Sequence, residues 1–194
     1  YYNENISEIS DADFDNLKRQ ISDLENQHEF LKSKDSPSLK VGYKPSKNFK
    51  KVTHKVPMLS LANAFNEKDL LNFEKRISNY LDKKKDFDIE YSAEPKIDGI
   101  SASLIYKKGK LISGLSRGDG TQGEDITENL KTIKDIPKII KDKSFPEEID
   151  VRGEVFIQNS DFNKLKNNFA NPRNAASGSL RQKNSNETKK IPLK

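Results

Sequence analysis

The chain of 194 residues contains no cysteine, no tryptophan and a single methionine. Without cysteine it has neither a disulfide framework nor a thiolate zinc site, and a reducing compartment is the expected setting. Long apolar runs are missing too, and nothing approaches the roughly 18 consecutive apolar residues of a membrane-spanning helix. The opening Tyr1-Tyr2-Asn3-Glu4-Asn5 has neither the basic nor the apolar region of a secretory signal. We therefore expect a soluble, cytoplasmic protein with no membrane partner. Tyr1 is not an initiator methionine and Ile191-Pro192-Leu193-Lys194 carries no closing signal, so a piece of a longer protein is expected.

What is present is charge. Asp, Glu, Lys and Arg make up 34% of the chain and the formal net charge is +5, and 194 residues are enough for one domain with a real core, or for one domain plus a small appendage. The lysines are spread along the sequence, and spread lysine describes a solvated surface at least as well as a nucleic-acid face.

One short stretch carries more chemistry than the rest, Glu94-Pro95-Lys96-Ile97-Asp98-Gly99. At strand spacing Glu94, Lys96 and Asp98 share one face, placing an ammonium between two carboxylates. An ordinary lysine with a pKa near 10.4 is protonated at pH 7, so a nucleophilic one needs a site favouring its neutral form. The plain alternative is a solvated strand end followed by a turn.

Around this stretch the chain falls into segments. Residues 10 to 31 read as a helix, with Ser10 and Asp13 in capping-box positions and Phe14, Leu17, Ile21, Leu24 and Leu31 on one packed face. Tyr1 and Tyr2 precede it, and Asp11 and Asp15 lie at its start, where a packing staple and the helix dipole would also account for them. Residues 33 to 50 read as an irregular connector. Val56 to Leu61 is a short apolar segment, after which Asn66 caps a helix carrying Leu70, Phe73, Ile77 and Leu81. Lys83-Lys84-Lys85 closes that helix and complements its dipole.

From Asp88 onward the period changes from helical to alternating, so the lysine stretch is expected on a sheet. Ile100 to Tyr106 continues as a strand, Lys107 to Lys110 turns, and Leu111 to Arg117 returns as its partner. Arg117-Gly118-Asp119-Gly120-Thr121-Gln122-Gly123-Glu124-Asp125 then sets three glycines between a strand and a helix beginning near Asp125. Backbone amides could approach a ligand there and Arg117 could grip phosphate or ribose oxygens, although a long hairpin or lid loop has the same composition. The spacing fits neither a Walker loop nor a dinucleotide fingerprint.

Glu148 to Ile157 reads as a strand with Asp150, Arg152 and Glu154 on one face, which suits a lined cleft or an exposed edge. Ser160 is expected to cap a short helix running to Phe169. Asn171 to Arg181 follows as a loop entering a small-residue helix, with Arg173 and Arg181 both able to face a polyanion.

Six of these pieces, in this order, resemble the adenylation domain of bacterial NAD-dependent DNA ligases. They are Tyr1 to Asp15, Val56 to Leu61, Glu94 to Gly99, Arg117 to Thr127, Arg152 to Val155 and Asn171 to Gln182, and the similarity runs over essentially the whole chain. The resemblance implies an α+β fold. Its core would be an ATP-grasp-like nucleotidyltransferase of the DNA ligase and mRNA-capping type, with antiparallel sheets, flanking helices and a small helical N-terminal subdomain. Residues 1–45 would be a partial nicotinamide-mononucleotide-binding subdomain with its connector, and residues 46–194 a partial adenylation domain.

The same resemblance assigns roles. Lys96 would attack the α-phosphate of NAD and take up AMP, with Asp98 beside it as the second catalytic group. Glu94 and the Ser60-Leu61 backbone would meet adenine, and Arg117 and Glu154 the AMP ribose and phosphate. Tyr1, Tyr2, Asp11, Phe14 and Asp15 would contact the nicotinamide mononucleotide half. Phe14 stands where many relatives carry tyrosine, so stacking is kept there and a hydroxyl bond is lost.

Arg173 and Arg181 would meet the phosphates of nicked duplex DNA. Mg2+ is implied, with no site fixed by protein alone, and zinc only in a C-terminal part outside this sequence. A monomer is expected. An ATP- or GTP-using nucleotidyltransferase and a non-catalytic nucleotide- or DNA-binding fragment are the two alternatives.

Overall fold

Gly99 lies directly ahead of the main sheet, and the reason is steric. In this computed structural model, which describes residues 9, 11–36, 49–82, 89–142, 144–165 and 169–194, the side chains of residues 11 and 12 excepted, a three-stranded antiparallel sheet starts immediately after it. Its strand order is β3-β2-β5, with β2 Ile100–Lys107 in the middle, β3 Lys110–Ser116 and β5 Glu148–Val155. The expected hairpin is present, turning at Lys108 and Gly109, both with positive φ. β2 pairs with β5 in a register that sets Ser101 opposite Glu154, Ser103 opposite Arg152 and Ile105 opposite Asp150.

A second, two-stranded sheet joins β1 Lys51–Thr53 to β4 Gln122–Glu124. Neither strand is visible in the sequence pattern, because three residues are too few to show alternation. β1 falls at the edge of what reads as connector, and β4 within the glycine loop. Most of that connector, residues 37–48, lies outside the described residues, as do Tyr1, Tyr2, Ser10 and Lys83 to Lys85.

The helices are α1 Asp11–Gln27, α2 Glu67–Tyr80, α3 Thr127–Leu130, α4 Asn159–Phe162, α5 Pro172–Leu180 and α6 Ser185–Lys189, with a 3-10 turn at Glu29–Leu31. α2 begins as its sequence indicates, the Asn66 side chain accepting from the Asp69 amide. α5 does likewise at Asn171, with Pro172 in the first turn, where a missing N–H costs nothing. α1 is the helix expected over residues 10 to 31, but it stops at Gln27, ahead of Leu31, and its apolar face is only partly covered, since Leu17 and Leu24 each remain 49% exposed.

Two expectations fail. Residues 89–98 form no strand, so Glu94, Lys96 and Asp98 do not lie on a sheet. Pro95 has no N–H to give a ladder, and the pairing begins only at Ile100. Ser160 is not a helix cap, because α4 starts after Gln158 without a side-chain cap and ends at Phe162.

The described residues divide into two compact units, Ser60–Lys96 and the remainder. In the smaller one no residue of α2 is buried, and Tyr91 donates to Glu74 while its ring meets Phe73. In the larger unit the core collects Ala102 and Val155 from the sheet, Ile126, Leu130 and Ile133 around α3, Ala175, Ala176 and Leu180 from α5, and Ile157 and Leu193. Small residues on α5 allow its backbone to approach the sheet.

Leu130 has no exposed surface within this core. Leu130→Ala is expected to lower unfolding free energy by about 3 kcal/mol in denaturant titration, the usual range for a buried leucine.

Candidate active site

The charges of β5 are the natural starting point, since an edge strand bearing Asp150, Arg152 and Glu154 must satisfy them somehow. Each finds a partner on that face. Ser101 Oγ donates to Glu154 Oε2 at 2.8 Å, and Ser103 Oγ donates to Asp150 Oδ1 at 2.6 Å. Asp150 in turn accepts from Arg152, whose Nη1 donates to the Pro57 carbonyl at 3.0 Å and whose Nη2 reaches the Val56 carbonyl. The serines alternating along β2 thus hold the acids of β5, and the arginine ties the segment before Met58 to this sheet face. Met58 alone of the apolar run Val56 to Leu61 is buried, at 5% exposure, while Leu59 and Leu61 are 79% and 82% exposed.

Gly99 sits against the same strand. A Cβ built there would lie 2.3 Å from the Val155 carbonyl oxygen and 3.0 Å from Glu154 Cγ. Only a residue without a side chain lets the chain leave β2 this close to β5. Asp98, directly before it, accepts from Arg173 Nη1 at 2.8 Å.

The glycine loop is organised differently from its sequence reading. Asp119 Oδ1 accepts from the amides of Thr121 and Gln122 at 2.9 and 2.7 Å. The Asp119 amide donates to the Gln122 carbonyl, and the Gly120 amide to the Arg117 carbonyl at 3.0 Å. The amides of residues 119 to 122 are therefore taken up within the loop and are not presented to a ligand. Gly118 adopts φ +59° with its Cβ position 1.9 Å from the Gln122 carbonyl oxygen, so this glycine answers to the turn itself.

Beneath the loop lies His54, 7% exposed, its backbone N–H bonded to the Thr121 carbonyl and its Nε2 3.1 Å from the Arg117 carbonyl oxygen. At the far end Glu124, with no exposed surface, pairs with Arg181 Nε at 3.1 Å. Asn129 Nδ2 donates to the carbonyls of Leu180 and Gln182 and fixes the end of α5 beside it. Both arginines expected to face a polyanion thus hold carboxylates at the two ends of α5.

These segments all lie within a stretch that matches a known family. Residues 46–194 match the family described as the NAD-dependent DNA ligase adenylation domain, and residues 1–42 the DNA ligase-like N-terminal NAD+-binding domain. The chain belongs to the NAD-dependent DNA ligase family. A DNA ligase of Pelagibacter ubique (strain HTCC1062) is 68% identical over 194 residues, covering all of this chain and 29% of that protein. DNA ligases of Parvibaculum lavamentivorans and Xanthobacter autotrophicus are 48% and 46% identical over 202 residues, with 28% of each covered. The chain thus spans less than a third of the length of these ligases.

Within this ligase chain, the residues expected at the site fall into both compact units. Ser60, Leu61, Glu94 and Lys96 belong to the smaller one, where all four are exposed. Asp98, Arg117, Glu154, Arg173 and Arg181 belong to the larger. Asp11 starts α1, and Phe14 and Asp15 on the same helix are half-buried. Tyr1 and Tyr2 lie outside the described residues. Sequence reading missed His54 and the clamp made by Arg152. The one available signal was a histidine, one of only two in the chain, standing two residues before the apolar run.

Amide donation from Gln122, its largest cause, and from Thr121 holds the Asp119 carboxyl below its ordinary value of 3.8. A depressed folded value stabilises above the unfolded pKa and is lost as pH falls through the folded one. Asp119→Ala should therefore lower thermal stability at neutral pH, and its deficit against wild type should close as pH drops below 3.8. A deficit constant across that range would contradict the assignment.

Proposed function

We propose that the protein carrying this chain is an NAD-dependent DNA ligase in action as well as in family, with Lys96 as its nucleophile. The neutral Lys96 amine attacks the α-phosphorus of NAD, a P–N bond forms to AMP as the nitrogen gives up a proton to solvent, the P–O bond to the bridging oxygen breaks, and nicotinamide mononucleotide leaves with that oxygen. The AMP then passes to the 5′-phosphate of a nick in duplex DNA, and the adjacent 3′-hydroxyl displaces it as the phosphodiester forms. The observation that carries this reading is the NAD+-binding domain match over residues 1–42, continuous with an adenylation domain over 46–194. It favours NAD over ATP or GTP as the AMP donor, and the adenylation match favours an enzyme over a binding remnant.

Roles follow from chemistry and position. Asp98 lies one residue beyond Ile97 from Lys96 and would orient the amine. Glu94, a carboxylate able to accept from the exocyclic amine of adenine, would read that base together with the Ser60-Leu61 backbone. Arg117 and Glu154 would hold ribose and phosphate, and Tyr1, Tyr2, Asp11, Phe14 and Asp15 the nicotinamide mononucleotide half. Arg173 would meet DNA phosphate by exchanging its partly exposed pair with Asp98. Arg181 would act from where it stands, because withdrawing it strands a buried carboxylate.

Among the described residues no group of three or more candidate metal ligands forms. Mg2+ held chiefly by substrate phosphates and water needs none, and when bound it would neutralise phosphate charge. The proposal further takes residues 1–45 and 46–194 as the two domains, an ATP-grasp-like core, a monomer and a cytoplasmic setting. Among the described residues no helix is long and apolar enough to cross a membrane.

The full reading frame, incubated separately with NAD, ATP and GTP, should gain the mass of one AMP with NAD alone, and peptide mapping should place it on Lys96. Lys96→Ala should gain none. An adduct elsewhere, or one formed from ATP, would overturn the assignment.

A further inference from the structure

We propose that His54 is a positioning residue for Arg117, setting that arginine's main chain beneath the nucleotide. The inference rests on the reading above that Arg117 holds the AMP moiety. A carbonyl oxygen only accepts, so the contact of 3.1 Å between His54 Nε2 and the Arg117 oxygen requires the hydrogen on Nε2. The other ring nitrogen, Nδ1, is buried and has no hydrogen-bond partner among the described residues.

The same carbonyl also accepts from the Gly120 amide at 3.0 Å, which leaves both of its lone pairs occupied. The peptide leaving Arg117 is thereby fixed from inside the loop and from beneath it. Backbone bonds alone would hold the segment carrying His54. Its amide donates to the Thr121 carbonyl at 2.9 Å, the Met58 amide to the Gly120 carbonyl at 2.8 Å, and β1 pairs with β4 on the other side. The imidazole extends that hold to the start of the loop at Arg117, where it adds to the Gly120 bond. Space for the ring comes from Gly123, where a Cβ would lie 2.9 Å from Nε2.

A histidine that merely fills the interior would lower stability when replaced, without regard to Arg117. A positioning residue acts through the arginine and has no effect once the guanidinium is gone. The test is a double-mutant cycle on the full reading frame, reading kcat/KM for NAD in AMP transfer to Lys96. His54→Phe, which keeps a ring and loses the donor, is expected to lower it about tenfold, and less than about twofold in an Arg117→Ala background. His54→Gln, which keeps an N–H, is expected to stay within about threefold of wild type.

Independent, multiplicative effects would overturn the inference, as would a His54→Phe protein with the wild-type constant. Should His54→Phe give no cooperative melt, His54→Gln decides alone, and a folded glutamine variant below about a tenth of wild type overturns it. A wild-type protein that takes up no AMP from NAD defeats the proposed function as well. One that does, with a multiplicative cycle, defeats this inference only.

Discussion

Most of the larger unit depends on one close approach, that of the Gly99 backbone to the Val155 carbonyl on β5. Because no side chain intervenes, β2 can begin at Ile100 in register with Val155, and the serines at 101 and 103 then fall opposite Glu154 and Arg152. That register determines which charges are satisfied. Shifted by one residue, β2 would offer Ala102 and Leu104 to the acids of β5 and turn its serines toward the core. It also fixes the point from which the chain runs back to Asp98.

Around this register the polar groups form a sequence of restraints. Ser103 holds Asp150, Asp150 holds Arg152, and Arg152 holds the carbonyls before Met58. Met58 and His54 then bind the carbonyls of Gly120 and Thr121 in the glycine loop. The loop closes on itself through Asp119, and beyond it Glu124 meets Arg181 at the end of α5, whose other end pairs with Asp98 through Arg173. Segments far apart in sequence are thereby fixed relative to one another within one unit.

Local rules were enough for the parts built locally. The hairpin at Lys108-Gly109, the Asn66 cap and the charged face of β5 were legible because each depends on neighbours in sequence. The segment from Glu94 to Asp98 misled because alternation alone does not supply a pairing partner, and Pro95 refuses one. The glycines of the loop suggested exposed amides, whereas Asp119 takes those amides for itself. The pairing of Arg181 with Glu124, and the burial of His54 beneath Arg117, join positions more than fifty residues apart that no periodicity connects. The charge of the arginines was visible, but not the carboxylates that claim it.

The most direct measurement is the rate of the proposed AMP transfer from NAD to Lys96 in a Gly99→Ala variant of the full reading frame, alongside its melting curve. If the close approach at Gly99 sets the site, the variant melts cooperatively and transfers AMP at least about a hundredfold more slowly than wild type. A cooperatively folded variant that transfers AMP at the wild-type rate would contradict it.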